Sequence, residues 1–202
     1  PSLVTPKRSD FGLPENGFVF CSFNHDYKIN PPMFKVWMNL LKSVPDSVLW
    51  LMKLNDAAQS NLTSEAIKHG VNPTRIVYAT RVPKVEDHLA RYRLADLFLD
   101  TFPYNGHTTT SDALFSGLPV LSLTGISFAS RVASSLLELI KIDYLICKSH
   151  SEYHDKALFL ANSTIELKRI RQELNMAFIN RTWHNSQLHR GKEVQNSLLV
   201  IN

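Results

Sequence analysis

From residue 17 to residue 139, short apolar runs alternate with longer stretches of helical period. The run GFVFCSF (17–23) is followed by PPMFKVWMNLLKSV (31–44), SVLWLMK (47–53), AQSNLTSEAIKHG (58–70) and RIVYAT (75–80). Short runs rich in β-branched and aromatic residues predict strands, and the longer segments predict helices. The rhythm continues with a helix over 86–92, a strand over 97–99, a helix over 108–116, a strand over 119–123 and a helix over 128–139. Within 34–41, Phe34, Trp37, Met38 and Leu41 fall at i, i+3, i+4 and i+7, which is one face of a helix laid on a sheet. The strand VLWLM is apolar throughout, so both of its pleat faces are covered. That pattern predicts an α/β fold: a doubly wound, Rossmann-like parallel sheet with helices on either side.

The segment SEYHDKALFLANSTIELKRIRQELNMAFINR (151–181) reads as two helical stretches separated near 162–164, without strands, packing across the α/β core. After Arg181 the periodicity is lost, which predicts one lobe over 1–180 and a poorly ordered tail over 181–202. At 202 residues, with 44% hydrophobic and 20% charged residues, the composition is that of an ordinary globular domain. Half of the +4 formal charge comes from Arg181, Arg190 and Lys192 less Glu193, and the rest of the chain is nearly neutral. A broad nucleic-acid surface needs clustered basic side chains, so the expectation is no nucleic-acid partner but room for a small anion held locally. No stretch approaches the ~20 apolar residues of a membrane span, and residues 1–17 lack the apolar core of a secretory signal. The expected setting is cytoplasmic. Cys21 and Cys147 lie in apolar runs far apart and read as buried free thiols. The sequons at Asn61, Asn162 and Asn180 carry little weight without secretion.

In a doubly wound sheet, ligands bind where strands end and helices begin. The glycine-rich dinucleotide fingerprint and the P-loop are both absent, which disfavours an NAD-type oxidoreductase. The stretch DTFPYNGHTTTSDAL (100–114) has an Asn105-Gly106 turn, then His107, Thr108 and Thr109 in the first helical turn, where unpaired amides and the helix dipole favour an anion. Asp112 follows one turn later, within reach of a sugar hydroxyl. Thr109-Thr110-Ser111-Asp112 equally fits a T-x-x-D capping box, which needs no ligand. After the first strand, FNHDYK offers Lys28 as a point charge for phosphate and His25 as a hydrogen-bonding group, or else a solvated polar loop. Lys84 and His88 in RVPKVEDHLARYRLAD stand at a third such loop, as base or ribose contacts or as a solvated helix start. Asp87 and Arg91 read as an ordinary i,i+4 pair. Cys147, His150 and His154 lack an evident fourth zinc ligand, and no Asp-x-Asp motif occurs, so no metal is expected.

Taken in order, FNHDYKINP, the block RIVYATRVPKVEDHLARYRLADLFLDTFPYNGHTTTSDALFSGLPVLSLTG and FASRVASSLL resemble the C-terminal catalytic lobe of O-linked N-acetylglucosamine transferases, particularly bacterial members of that GT-B glycosyltransferase family. The resemblance spans about 12–175. It implies a UDP-sugar as donor, N-acetylglucosamine or a related hexose, with no cofactor. It also implies a protein acceptor read by an N-terminal lobe, often preceded by tetratricopeptide repeats, neither of which this chain contains. By resemblance, Lys28 contacts the diphosphate and stabilises the leaving UDP, and His25 is a polar phosphate or sugar contact. His88 packs against uracil and Lys84 lies beside the base and ribose. His107, Thr108 and Thr109 form the diphosphate-binding helix start, Asp112 is the ribose-binding carboxylate, and Arg131 has a loop-ordering role. The implied function is the donor-binding lobe of an inverting protein O-glycosyltransferase; the alternative is a noncatalytic nucleotide-binding module or truncated remnant that binds UDP without transfer.

Overall fold

The computed structural model describes residues 1–178. Its sheet has six parallel strands, β1 (Val19–Ser22), β2 (Val48–Met52), β3 (Ile76–Ala79), β4 (Leu97–Leu99), β5 (Val120–Leu123) and β6 (Ile146–Cys147), in the order β3-β2-β1-β4-β5-β6. The helices are α1 (Pro31–Ser43), α2 (Asp56–Lys68), α3 (Val85–Arg91), α4 (Thr108–Phe115), α5 (Val132–Leu139) and α6 (His150–Ala161), and α7 covers 164–178. Because parallel crossovers are right-handed, the crossover helices α1 and α2 lie on one face and α3, α4 and α5 on the other, while α6, which follows the last strand, returns to the face of α1. Consistent with this, α1 packs on α6 and α4 on α5. The strand order reverses between β1 and β4, so the loops after those two strands diverge and leave a crevice at the carboxyl edge.

The unbroken apolar runs are explained by burial on both pleat faces: all four residues of β1 and all three of β4 are buried. The apolar stripe of α1, Phe34, Trp37, Met38 and Leu41, is buried as its spacing predicts. Fully burying such side chains contributes about 1.5–3 kcal/mol each. The start of α1 is fixed by Asn30, whose Oδ1 accepts from Met33 N–H at 3.1 Å, and by Pro31 in the first turn, where a missing N–H does no harm. Asn30 Nδ2 also donates to the Phe102 carbonyl, tying this helix start to the loop after β4.

Several expectations are corrected. A sixth strand precedes α6; at two residues it is too short to impose a period on the sequence. The helix expected over 128–139 is broken by a separate 3-10 turn, Phe128–Ser130, capped by Ser127. Asp87 and Arg91 do not pair: Asp87 is exposed, whereas Arg91 is fully buried and donates to the Thr80 carbonyl at 2.7 Å. The capping box is absent. His107 occupies the N-cap of α4 with no side-chain cap, and Thr109 lies inside the helix with its hydroxyl donating to Asn24 Oδ1. Cys21 and Cys147 are free and buried, as expected. The tail expected over 181–202 lies outside the described residues.

Candidate functional site

The parallel register sets Phe98 against Val120 and Leu99 against Leu121, which brings Asp100, one residue past β4, beside Ser122 of β5. Asp100 is completely buried. Its carboxylate accepts from Gly106 N–H at 2.6 Å, Ser122 Oγ at 2.7 Å and Asn24 Nδ2 at 3.1 Å, while its carbonyl accepts from the Tyr153 hydroxyl of α6 at 3.0 Å. Burial pushes this carboxyl up to about 6, and the donors from Gly106, Ser122, Thr101 and Asn24 oppose the shift. Asn105, also buried, donates to the carbonyls of Thr101 and Leu123 at 2.8 and 3.2 Å. These bonds make a polar floor that fixes the turn into α4.

The turn itself needs glycine. A Cβ at Gly106 would lie 2.6 Å from the hydroxyls of Thr109 and Thr110 and 2.8 Å from Asn24 Oδ1. The backbone therefore passes close over the floor and enters α4 directly. The first backbone bond closing that helix runs from Ser111 N–H to the His107 carbonyl at 3.1 Å, so the amides of Thr108, Thr109 and Thr110 precede the ladder and stay free for a ligand. Thr110 Oγ1 is buried without a partner.

Lys28 comes from the 3-10 turn Asp26–Lys28 that follows β1. Its Nζ donates to the Asn105 carbonyl at 2.9 Å and stands 3.9 Å from the centroid of the Tyr104 ring, which holds the ammonium beside the turn into α4. Burial lowers its pKa and the Asp100 carboxylate opposes that effect. Burial, then the Lys28 charge, also lowers the pKa of His107, which favours a neutral imidazole. Its Nε2 has no partner, and its ring lies against Tyr104 and the exposed Phe128.

On the other flank, burial and then Arg91 push His88 down to about 4. Arg91 Nη2 lies 2.6 Å from His88 Nδ1, and because a guanidinium can only donate, Nδ1 accepts and Nε2 carries the proton. That Nε2–H faces Asp112 Oδ2 at 4.0 Å. Burial raises the pKa of Asp112. His88 thus stands as a neutral, partly buried ring on an aromatic bed with Phe23 and Tyr92.

Between the two flanks opens a cleft of about 510 Å³ along the ends of β1, β2 and β3, its lining including Asn24, His25, Lys53, Arg81, His88 and Thr109. The structure therefore brings Lys28, His107, Thr108 and Thr109 together at the start of α4, with His88 and Asp112 close to each other beside them. His25 lies on the cleft rim, exposed, its ring stacked on Tyr27. Lys84 is not gathered in: it is the exposed N-cap of α3, outside the cleft lining, and Arg81 occupies that side instead. Arg131 is exposed at the start of α5, where its carbonyl accepts from Ser135 N–H at 2.9 Å. Sequence reasoning missed Asn24, Asp100, Asn105, Ser122, Tyr153, Lys53 and Arg81. Among the described residues no three His, Cys, Asp or Glu side chains gather as a metal site needs, and no helix is long and apolar enough to cross a membrane.

The sheet order, the crevice at its switch point and the helix-start cradle define the Rossmann-like lobe of a GT-B glycosyltransferase. The isolated C-terminal domain of a glycosyl transferase group 1 family protein from Francisella tularensis shares this fold, with a TM-score of 0.64 at 14% identity over 86% of this chain and 90% of that one. The chain belongs to glycosyl transferase family 41, whose sequence profile matches residues 1–193. It is 41% identical over 170 residues to the probable UDP-N-acetylglucosamine peptide N-acetylglucosaminyltransferase SEC of Arabidopsis thaliana, covering 84% of this chain and 17% of that protein. The corresponding enzyme of Caenorhabditis elegans is 36% identical over 176 residues, 87% of this chain and 15% of that protein. An O-GlcNAc transferase variant from Thermobaculum terrenum superposes with a TM-score of 0.77 at 32% identity, over 81% of this chain and 32% of that one. The chain thus spans less than a fifth of the two curated relatives.

Proposed function

We propose that this chain is the donor-binding lobe of an inverting protein O-glycosyltransferase that transfers N-acetylglucosamine, or a related hexose, from a UDP-sugar to Ser or Thr of a protein. The observation that carries the reading is the meeting of the Lys28 ammonium with the free amides of α4 at the switch point of the sheet. The names of the Arabidopsis and C. elegans relatives support the donor and the peptide acceptor.

In this reading the diphosphate sits over the start of α4, facing Lys28 and the amides of Thr108 and Thr109. Asp112, 4.0 Å from the His88 ring, receives ribose hydroxyls. The His88 ring packs against the base, with Lys84 or Arg81 outside it, and His25 meets the phosphate or sugar. The acceptor oxygen attacks the anomeric carbon and loses its proton; the bond from that carbon to the β-phosphate oxygen breaks, and the electron pair leaves with UDP. Donors already in place where that charge develops lower the barrier. Lys28 and the helix start supply the positive charge, so no divalent cation is required. The acceptor-reading lobe, and any tetratricopeptide repeats, belong to sequence outside this chain. The two unpaired thiols support a reducing, cytoplasmic setting.

Calorimetric titration of the chain with UDP, UMP and NAD tests the first half of this reading. UDP should bind in preference to NAD and lose at least tenfold in affinity in Lys28→Met; equal or no binding of all three overturns it. Transfer to peptide, measured in the enzyme that contains this lobe, tests the second half, and a lobe that binds UDP in an enzyme without transfer is instead the noncatalytic module.

A further inference from the structure

Buried hydrogen bonds at the base of the cleft have only one consistent set of directions. The Tyr104 carbonyl can only accept, so the Thr101 hydroxyl, 2.6 Å away, donates to it. Thr101 Oγ1 then accepts from Asn24 at 2.9 Å, and the Asp100 carboxylate accepts from Asn24 at 3.1 Å. Both neighbours on that side need a donor, so the Asn24 amide must turn its Nδ2 toward them. Its Oδ1 is left facing Thr109, whose hydroxyl lies against it. An amide oxygen cannot donate, so Thr109 does. Gly106 N–H, bonded to the same Asp100 oxygen at 2.6 Å, locks the arrangement, because that oxygen position must stay an acceptor.

We propose that Asn24 is a positioning residue that commits the Thr109 hydroxyl proton inward, so that Thr109 presents only acceptor lone pairs to the cleft and the diphosphate is read by the α4 amides and the Thr108 hydroxyl. Thr109 lines the cleft, and Thr108 is exposed at the first position of α4. The two adjacent threonines therefore have opposite duties. Thr108 is free to donate to a phosphate oxygen. Thr109 is free only to accept, which suits a hydroxyl group of the ligand and not its phosphates. The inference rests on the UDP-binding reading above, and it assigns the phosphate contacts within it.

The test measures the affinity of the full chain for uridine and for UDP by calorimetry, the ratio of the two being the contribution of the diphosphate alone, together with the melting temperature. Thr108→Val should reduce that ratio about tenfold or more, the worth of a charge-assisted hydrogen bond, and leave the melting temperature unchanged. Thr109→Val should leave the ratio within about threefold and lower the melting temperature, because Asn24 Oδ1 loses its donor; Thr109→Ser should restore it. Asn24→Ala should raise the ratio by releasing the Thr109 proton toward the phosphates, and the rise should vanish in the Asn24→Ala, Thr109→Val pair. A tenfold loss of the ratio in Thr109→Val at unchanged melting temperature overturns the proposal, and so does an Asn24→Ala effect that persists without the Thr109 hydroxyl. If the wild-type chain does not bind UDP, the donor-binding reading fails; the melting temperatures of Thr109→Val and Thr109→Ser then still decide whether Thr109 is tied inward.

Discussion

Replacing Asp100 by asparagine isolates the charge of the floor from its shape. The variant keeps an oxygen to accept from Gly106 and Asn24 and puts an amide group where Ser122 now donates, and the serine hydroxyl can reorient to accept. What changes is ionisation. In the folded protein burial holds the Asp100 carboxyl at about 6, whereas in an unfolded chain an aspartate ionises near 4. Each tenfold in proton affinity is worth about 1.4 kcal/mol, so the ionised carboxylate costs the fold about 3 kcal/mol above pH 6. The sign follows from proton counting: between these two values the unfolded chain has released its proton and the folded one has not, so stability falls as pH rises through the window and then levels off. Asp100→Asn cannot titrate. Denaturant unfolding of the two proteins from about pH 4 to about pH 7.5 should show the variant gaining on the wild type by about 3 kcal/mol across that range, with the difference constant above it. Parallel curves would refute the argument, because they would mean that Asp100 has the same proton affinity folded and unfolded. The other floor groups do not mimic the slope, since Asn24, Ser122 and Asn105 do not ionise and Tyr153 titrates far above this range.

Other consequences are equally open to measurement. Lys28→Ala in an enzyme containing this lobe should lower kcat about a hundredfold, as expected when a donor to the developing charge is lost; a change below about threefold would remove Lys28 from that role. Gly106→Ala drives a methyl group into the Thr109 and Thr110 hydroxyls. It should cost about 1–3 kcal/mol by overpacking, read as a lowered unfolding midpoint together with loss of UDP binding. His88 is held neutral down to about pH 4, so its ring resonances in NMR should not titrate between about pH 5 and 8, and an inflection near the ordinary histidine value would contradict its burial beside Arg91. Arg81 and Lys53 are exposed at the cleft mouth. Substituting either by Ala should weaken UDP binding by no more than about fivefold, the worth of an exposed ion pair, and less as salt is raised.

The sequence carries the sheet well because burial on both faces leaves strands no alternation, and the runs around 97–99 and 119–123 stand out against polar flanks. It also points to the three loops that border the cleft, since each follows a strand and supplies a cation, an imidazole or a hydroxyl. Direction is what it lacks. The T-x-x-D spacing at Thr109 is compatible with a cap, but Asn24 competes for the same hydroxyl across 85 residues and prevails. Arg91 satisfies the i,i+4 rule toward Asp87, yet the guanidinium turns under the helix because Phe23, Thr80 and His88 offer it partners there. Lys84 looked like the basic group of its loop; three residues earlier, Arg81 reaches the cleft. The misses at Thr109 and Arg91 are tertiary contacts overriding a local rule. Asp100 had one visible signal: a polar residue directly after an all-apolar strand enters the layer where polar groups must find partners.

The proposed anion site carries a buried carboxylate beneath it. A negative charge there repels phosphate and destabilises the fold, so on energetic grounds alone it should be neutral. It also raises the pKa of Lys28 against the desolvation that lowers it. Asp100 opposes the lowering of the Lys28 pKa by burial, while its hydrogen bonds hold the turn whose amides complete the proposed cradle. The stability lost to a buried charge is thereby exchanged for a preorganised cation at the place where the proposed reaction builds negative charge. On this argument Asp100→Asn is the stabler protein above pH 6 and the poorer enzyme, and the two effects should appear together.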